Sequence, residues 1–202
     1  MFLKSQPPLI LASSSVYRRA LLERLRIPFM TQSAGVDETP RANESPGELV
    51  TRLARAKAGT IAERHPEAWV IGSDQTAVLT DAAGAPHVVG KPGSAPNGIR
   101  QLQEASGRTL QFLTAVAVIN EGAGGRHEFT DTTRVQFRTL DQATILRYVE
   151  SESALDCAGG FKSEGLGISL CESIESDDPS ALVGLPLIRL AAILRQAGYK
   201  IP

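Results

Sequence analysis

Residues 9–25 read LILASSSVYRRALLERL, an apolar run followed by three serines and two arginines. The apolar run at residues 9–12 predicts a buried strand, because it is short and ends at a cluster of serines. Beyond the serines, leucines recur at helical spacing and predict a helix over residues 16–25. Ser15 is a suitable N-cap, since its hydroxyl can accept a hydrogen bond from an exposed backbone N–H. The stretch therefore predicts a strand followed directly by a helix.

Two adjacent arginines, Arg18 and Arg19, occupy the first turn of this predicted helix. The amino end of a helix carries partial positive charge, so acidic residues are the favourable choice there. Basic residues are mildly unfavourable at this position unless an anion lies between them and the exposed N–H groups. Because helix amino ends readily bind anions, the two arginines predict a phosphate site.

The composition is that of an ordinary globular protein. Its 202 residues suffice for one sizeable α/β domain or two closely packed lobes. Hydrophobic residues make up 42% of the chain and charged residues 21%. The net charge of -1 leaves no polybasic footprint, which argues against duplex nucleic acid as a partner.

The cysteines and the amino-terminal segment bear on the compartment. Cys157 and Cys171 are a poor disulfide framework and too few for a zinc site built from thiolates. They fit a reducing cytosol. The apolar run at residues 9–12 follows two prolines and is too short for a signal-peptide core or a membrane span. We therefore expect a cytoplasmic protein without a membrane partner.

The remaining predicted elements combine strand–helix units with a hairpin. Strands are predicted at residues 29–33, 69–79, 109–120, 126–138 and 168–174. Helices are predicted from the capping box at residues 45–48 to about 64, from Ser94 or Asn97 to near 107, over residues 141–150, at Asp178-Pro179 as a short turn, and from Pro186 to Gly198. We expect a mixed sheet with helices on its faces rather than a purely parallel sheet.

Two charged residues stand where apolar residues are expected. Lys57 lies on the apolar stripe of the helix that begins at Pro46, where its amine must either find an anion or extend to solvent. Asp74 lies inside an apolar strand, where carboxylates are depleted. It is either a turn or strand-end residue, or part of a ligand site, since ligands in α/β folds bind near strand ends.

Three further charged residues have ordinary explanations when taken singly. Lys91, in Gly-Lys-Pro-Gly, is an exposed turn lysine or an amine held on a stiff loop. Glu164 lies in a glycine-rich segment, residues 159–165, which is a plain flexible loop or a close backbone approach to a ligand. Glu38 is typical of a solvated loop acid. The sequence has no Walker phosphate loop, no GxGxxG after a strand and no GxSxG elbow.

Six motifs, taken in order, make the chain resemble a known family. They are LILASSSVYRRALLERL, VDETPRANESPGELVTRLARAKA, IGSDQ, GKPG, CAGGFKSEGLGISL and DDPSALVGLPL. Together they resemble the Maf-like nucleotide pyrophosphatases, in the branch of 7-methyl-GTP pyrophosphatases. The resemblance implies a single Maf-like α/β domain over residues 1–202, with a mixed sheet flanked by helices. It also implies two lobes with a central cleft, as in the inosine-triphosphate pyrophosphatases (the Maf/Ham1 fold), and homodimers, which are common in such proteins.

The resemblance also implies which residues act. Phosphate binding is implied for Ser13, Ser15, Arg18, Arg19, Lys57 and Lys91. Asp74 matches the strand aspartate regarded as the general base. Gln75 and Glu164 match the methyl-GTP branch, whereas the pyrimidine branch usually carries threonine and glutamine at these positions. Tyr17 takes the place of a tryptophan and keeps an aromatic face for the base.

The expected reaction is hydrolysis of a nucleoside triphosphate between its α and β phosphates. Positive side chains would neutralise the charge that develops on the phosphate oxygens, chiefly those of Arg18, Lys57 and Lys91. A magnesium or manganese ion is expected to bridge the phosphates to Asp74 and Glu38.

These residues are compatible with three functions. For 7-methyl-GTP, the Glu164 carboxylate would accept the two adjacent N–H donors of guanine, which methylation at N7 makes more acidic. Tyr17 would stack on the cationic ring. A pyrophosphatase for dTTP, UTP or another modified nucleotide is the first alternative. The second is a nucleotide-binding regulator of septum formation, which would bind without turnover.

Overall fold

The computed structural model describes residues 6–80 and 84–202, and these form an α/β structure. Its strands are β1 (Leu9–Leu11), β2 (Met30–Thr31), β3 (Trp69–Thr80), β4 (Pro86–Val89), β5 (Thr109–Asn120), β6 (Gly125–Phe137) and β7 (Cys171–Glu175). Its α-helices are α1 (Val16–Glu23), α2 (Pro46–Ala62), α3 (Ala95–Ala105), α4 (Gln142–Ser151) and α5 (Leu187–Gln196). Short 3-10 helices occupy Ala158–Gly160, Leu166–Leu170 and Ala181–Val183.

The chain divides into two compact units. The first comprises the residues up to Asp74, Thr114–Asp131 and Asp178–Pro202, and the second comprises Gln75–Leu113 and Thr132–Asp177. Strands β3, β5 and β6 contribute residues to both units. Parallel pairs occur in the first unit and antiparallel pairs in the second, so the predicted mixed sheet is confirmed. The predicted single domain with a central cleft stays a prediction.

In the first unit, β1 lies between β2 and β3 and is parallel to both. The buried core there draws apolar side chains from the strands, from α1 and from α5. Leu11 pairs with Ile71, and the next amide, that of Ala12, donates to the carbonyl of Ile71 at 2.8 Å. Because the two strands run in the same direction, the serine loop that follows β1 lies next to the Ser73–Asp74 segment of β3.

Helix α2 crosses β3 at unusually short range, and Gly72 makes this possible. The helix begins with the predicted capping box, in which Ser45 and Glu48 each accept from the other's backbone N–H. A Cβ atom at Gly72 would lie 2.2 Å from the carbonyl oxygen of Ala54 and 2.6 Å from the amide nitrogen of Ala58. Only a glycine at this position lets the helix lie directly on the strand. Gly72 precedes Asp74 by two residues, so both point to the same face of β3.

In the second unit, the later part of β3 pairs antiparallel with β4, and β6 pairs antiparallel with β7. Helix α4 begins at the predicted cap, Asp141, whose carboxylate accepts from the amide of Thr144. The phenyl rings of Phe112 and Phe137 lie 5.9 Å and 5.2 Å from that of Phe161. This aromatic cluster holds the start of the glycine-rich loop against the sheet.

One predicted strand is partly wrong. Residues 168–170 belong to a 3-10 helix, and the strand begins only at Cys171. The amide of Gly167 donates to the carbonyl of Lys162, and a Cβ atom at Gly167 would lie 2.4 Å from that oxygen. This turn leaves Ile168 56% exposed, so its apolar character does not report a buried strand. Strand β4 was not predicted, because it is short, begins with a proline and is mostly exposed.

No helix within residues 6–80 and 84–202 is both long and apolar enough to cross a bilayer. The cytoplasmic location stays a prediction.

Candidate active site

A buried ionic cluster lies where α2 crosses β3 in the first unit. The ammonium of Lys57 is 2.7 Å from Oδ1 of Asp74 and 2.6 Å from Oε1 of Glu38. The side chains of Lys57 and Asp74 are only 10% and 11% exposed, whereas that of Glu38 is 61% exposed. The sequence left open whether Lys57 finds an anion or extends to solvent. The structure shows that it finds two carboxylates.

Burial sets the acidity of Asp74. Removal from solvent raises the pKa of this carboxyl above its ordinary value, and Lys57 and Arg18 oppose that rise only in part. The negative charge of Glu38 raises the pKa a little further. A carboxylate with a raised pKa is a stronger base than an exposed aspartate, which is what proton abstraction from water requires.

Arg18 is fixed beside this cluster by backbone carbonyls. Its Nη1 donates to the carbonyl of Ser73 at 2.9 Å, and its Nε donates to the carbonyl of Gly184 at 3.0 Å. The hydroxyl of Ser73 donates to the same Gly184 carbonyl at 2.9 Å. Burial lowers the pKa of the Arg18 guanidinium, and the charges of Asp74 and Glu38 counteract this effect. The guanidinium is therefore held in one orientation next to the buried acid.

The Gly184 carbonyl is positioned by the segment that precedes α5. Pro186 occupies the N-cap of α5 and makes no side-chain cap, so the helix is capped from further back in the chain. Asp178 accepts from the amide of Ile188 at 2.6 Å, and the hydroxyl of Ser180 accepts from the amide of Leu187 at 2.8 Å. Gly184 itself has a φ of 114°, a conformation that favours glycine.

In the serine loop after β1, the hydroxyls of Ser13 and Ser15 accept local hydrogen bonds from backbone amides. The Ser15 hydroxyl accepts from the amide of Arg18 at 3.3 Å, which confirms Ser15 as the N-cap of α1. The Ser13 hydroxyl in turn accepts from the amide of Ser15 at 3.1 Å. Tyr17 is half-buried on the same helix. The loop lies at the amino end of α1, and its phosphate role stays a prediction.

Arg19 is not brought to the cluster. Its side chain is 61% exposed and forms an ion pair with Glu23, one turn along α1, at 3.0 Å. Adjacent residues on a helix point about 100° apart, so Arg18 and Arg19 cannot share one face. Helical geometry therefore separates the two arginines that were predicted to share one phosphate site.

The second unit carries the other predicted residues. Lys91 is exposed in its turn, where the Gly90 carbonyl accepts from the side chain of Gln101 and from the amide of Gly159, both at 3.1 Å. Glu164 is exposed on the glycine-rich loop. Gln75 is half-buried in β3. Their roles toward a nucleotide stay predictions.

Sequence reasoning missed the groups that hold Arg18. Both acceptors are main-chain carbonyls, at Ser73 and Gly184, and a carbonyl has no residue-type signature. A hint was present in DDPSALVGLPL, which was noted as a motif without a role in the site. Ser73 was a further signal, because a hydroxyl inside an apolar predicted strand must find a hydrogen-bond partner.

The chain is similar to known proteins over nearly its whole length. A model of the Maf-like protein family matches residues 8–197. A 7-methyl-GTP pyrophosphatase of Xanthomonas axonopodis pv. citri is 54% identical over 97% of this chain and 100% of its own length. Proteins of the same name from Alkalilimnicola ehrlichii and Pseudomonas aeruginosa are 53% and 50% identical, over 96% and 97% of this chain and 95% and 100% of their own lengths.

Among solved structures, a HAM1 protein from Coxiella burnetii overlaps 65% of this chain and 73% of its own, with a TM-score of 0.45 and 18% identity.

Proposed function

Because this chain belongs to the Maf-like protein family, we propose that it is a nucleoside triphosphate pyrophosphatase that hydrolyses 7-methyl-GTP to 7-methyl-GMP and pyrophosphate. Relatives that carry the name 7-methyl-GTP pyrophosphatase align with nearly its whole length. The structural observation that carries the proposal is the buried Asp74, held 2.7 Å from Lys57 and beside a fixed Arg18.

The cluster supplies the two things that cleavage of an α–β anhydride needs. Asp74 takes the proton of the attacking water, and its raised pKa makes it a better base for this step. Lys57 and Arg18 stabilise the negative charge that moves onto the phosphate oxygens in the transition state. The carbonyls that hold Arg18 orient its planar guanidinium before substrate arrives, so its positive charge is already in place for the phosphates.

A divalent cation is part of the proposal. Within residues 6–80 and 84–202, no group of three or more histidine, cysteine or acidic side chains could hold a metal ion. Asp74 and Glu38 nevertheless place two carboxylates around one cation, the Lys57 ammonium. This donor set fits magnesium or manganese, which keep several waters and take further ligands from substrate phosphates. When bound, the ion lowers the pKa of the attacking water.

Base recognition rests on Glu164 and Tyr17. The guanine edge presents two adjacent N–H donors, and one carboxylate can accept both of them. Methylation at N7 gives the base a positive charge, so Glu164 gains more from this substrate than the glutamine of the pyrimidine branch would. Tyr17 adds stacking on a cationic ring, worth about 1–2 kcal/mol when desolvated.

The test is turnover of 7-methyl-GTP, GTP, dTTP and UTP by the wild type and Asp74→Asn, followed by release of pyrophosphate. We expect 7-methyl-GTP to be the best substrate and Asp74→Asn to lose at least about a hundredfold in kcat. Glu63→Gln, which neutralises an exposed acid at the end of α2, is the control and should keep full activity.

Each alternative gives a different result in the same assay. Preferential turnover of dTTP or UTP would move the protein to the pyrimidine branch. Binding of nucleotides without pyrophosphate release would favour the regulator of septum formation. Full activity of Asp74→Asn would remove the proposed base.

A further inference from the structure

We infer that Glu152 is a positioning residue for substrate specificity, because its carboxylate clamps both ends of the loop that presents Glu164. The inference rests on the proposed function, in which Glu164 recognises the methylated base. It concerns residues 162–166, here called the Glu164 loop, and the carboxyl end of α4.

The carboxylate of Glu152 contacts both ends of the Glu164 loop. Its Oε1 is 3.0 Å from the ammonium of Lys162, at the start of the loop, and its Oε2 accepts from the amide of Leu166 at 2.8 Å, at the end. The Glu152 side chain is 11% exposed, so these contacts are largely shielded from water. The two contacts hold the pKa of Glu152 below its ordinary value, and the Leu166 amide makes the largest contribution. Glu152 is therefore charged at neutral pH.

Gly165 shows how closely the loop is folded around this carboxylate. A Cβ atom at Gly165 would lie 2.1 Å from Oε2 of Glu152. The position next to Glu164 therefore has no space for a side chain while Glu152 holds the loop. A merely flexible loop would not need the glycine there.

A second group on α4 holds the same end of the loop. The hydroxyl of Tyr148 accepts from the amide of Lys162 at 3.1 Å. The amide of Glu152 donates to the carbonyl of Tyr148 at 2.8 Å, so Glu152 directly follows the last turn of the helix that carries Tyr148. This arrangement fixes the backbone on either side of Glu164, whose own side chain stays exposed.

The ion pair also fixes the cation that is closest to Glu164 in the sequence. Lys162 lies two residues before Glu164, and the negative charge of Glu164 contributes to the raised pKa of its ammonium. While Glu152 holds this ammonium, the Glu164 carboxylate is left to bind a cationic base. Loss of Glu152 would release the ammonium, which would then compete with the methylated guanine for Glu164.

The test is a double-mutant cycle of Glu152→Gln and Glu164→Gln, with kcat and KM measured for 7-methyl-GTP and dTTP. We expect Glu152→Gln to reduce the preference for 7-methyl-GTP about tenfold, mainly through KM, while kcat changes less than about twofold. The double variant should show the preference of Glu164→Gln alone. Glu150→Gln, an exposed acid on the same helix, should leave the preference unchanged.

Two outcomes would overturn the inference. Equal losses for both substrates in Glu152→Gln, or additive effects in the double variant, would reduce Glu152 to a structural role. An unchanged preference in Glu164→Gln would instead remove the proposed base recognition itself, so the two failures are distinguishable.

A second variant keeps the test decisive if Glu152→Gln does not fold. Gly165→Ala retains Glu152 but displaces its carboxylate, and it should cause the same loss of preference. A Gly165→Ala protein that folds and keeps the wild-type preference would contradict the clamp.

Discussion

Replacing Lys57 with methionine removes the positive charge at the centre of the buried cluster. Methionine keeps a long apolar side chain on the inward face of α2, so the packing of the lysine stem is largely retained. What is lost is the ammonium 2.7 Å from Asp74, in a pair whose members are 10% and 11% exposed. The contact with the 61% exposed Glu38 adds little, because exposed pairs are screened by water.

The size of the effect follows from this burial. Breaking a buried pair by removing one partner costs about 3–5 kcal/mol, and we expect about 3 kcal/mol at pH 8 because Arg18 still opposes the charge of Asp74. The loss depends on pH, since without Lys57 the pKa of Asp74 rises further above its ordinary value. A folded state that binds more protons than the unfolded state loses stability as pH rises through that interval. The loss at pH 5 should therefore be smaller than the loss at pH 8.

The assay is urea unfolding of the wild type and Lys57→Met at pH 5 and pH 8. Lys200→Met, an exposed lysine near the carboxyl end, is the matched control and should change the free energy of unfolding by less than about 0.5 kcal/mol. A loss of equal size at both pH values would refute the account of Asp74 as a buried acid held by Lys57. So would a Lys57→Met protein as stable as the wild type at pH 8.

Three further predictions concern the same molecule. The kcat/KM of the wild type should rise with pH on its acid side, through an apparent pKa above that of an ordinary aspartate, because only ionised Asp74 acts as base; a limb at the ordinary value would contradict this. Gly72→Ala should destabilise the fold by about 3 kcal/mol in urea unfolding, since the new Cβ would overlap the Ala54 carbonyl. Arg52 lowers the pKa of Glu44 to about 2, so the stability from this pair is present above the ordinary pKa of a glutamate and is lost as pH falls toward 2. Glu44→Gln should then reduce stability at pH 7 and leave it nearly unchanged at the acid end, as followed by circular dichroism.

The residues of the cluster could be predicted because they break local rules. A lysine on an apolar helical stripe and an aspartate inside a strand each carry a cost that a partner must offset, and Lys57 and Asp74 prove to be partners. Glu38 could not be selected in this way, since an acid in an exposed loop breaks no rule. It entered only as an expected ligand for magnesium or manganese.

Other features were beyond the sequence for physical reasons. The carbonyls of Ser73 and Gly184 hold Arg18, and every residue has a carbonyl. Glu152 follows the last turn of α4, and nothing in the sequence around it shows that the loop at residues 162–166 folds around its carboxylate. The helical period, which places Arg18 and Arg19 on different faces, could have been applied to the sequence alone. The two residues were grouped only because they are adjacent and both basic.

Binding of pyrophosphate tests directly whether the triphosphate lies at Arg18, Lys57 and Asp74, because pyrophosphate probes this site without the base. Isothermal titration with pyrophosphate and magnesium should be carried out on the wild type, Arg18→Met and the exposed control Arg24→Met. We expect Arg18→Met to bind at least about tenfold more weakly, while Arg24→Met should bind as the wild type does. Unchanged binding by Arg18→Met would contradict the placement of the triphosphate at Arg18, Lys57 and Asp74.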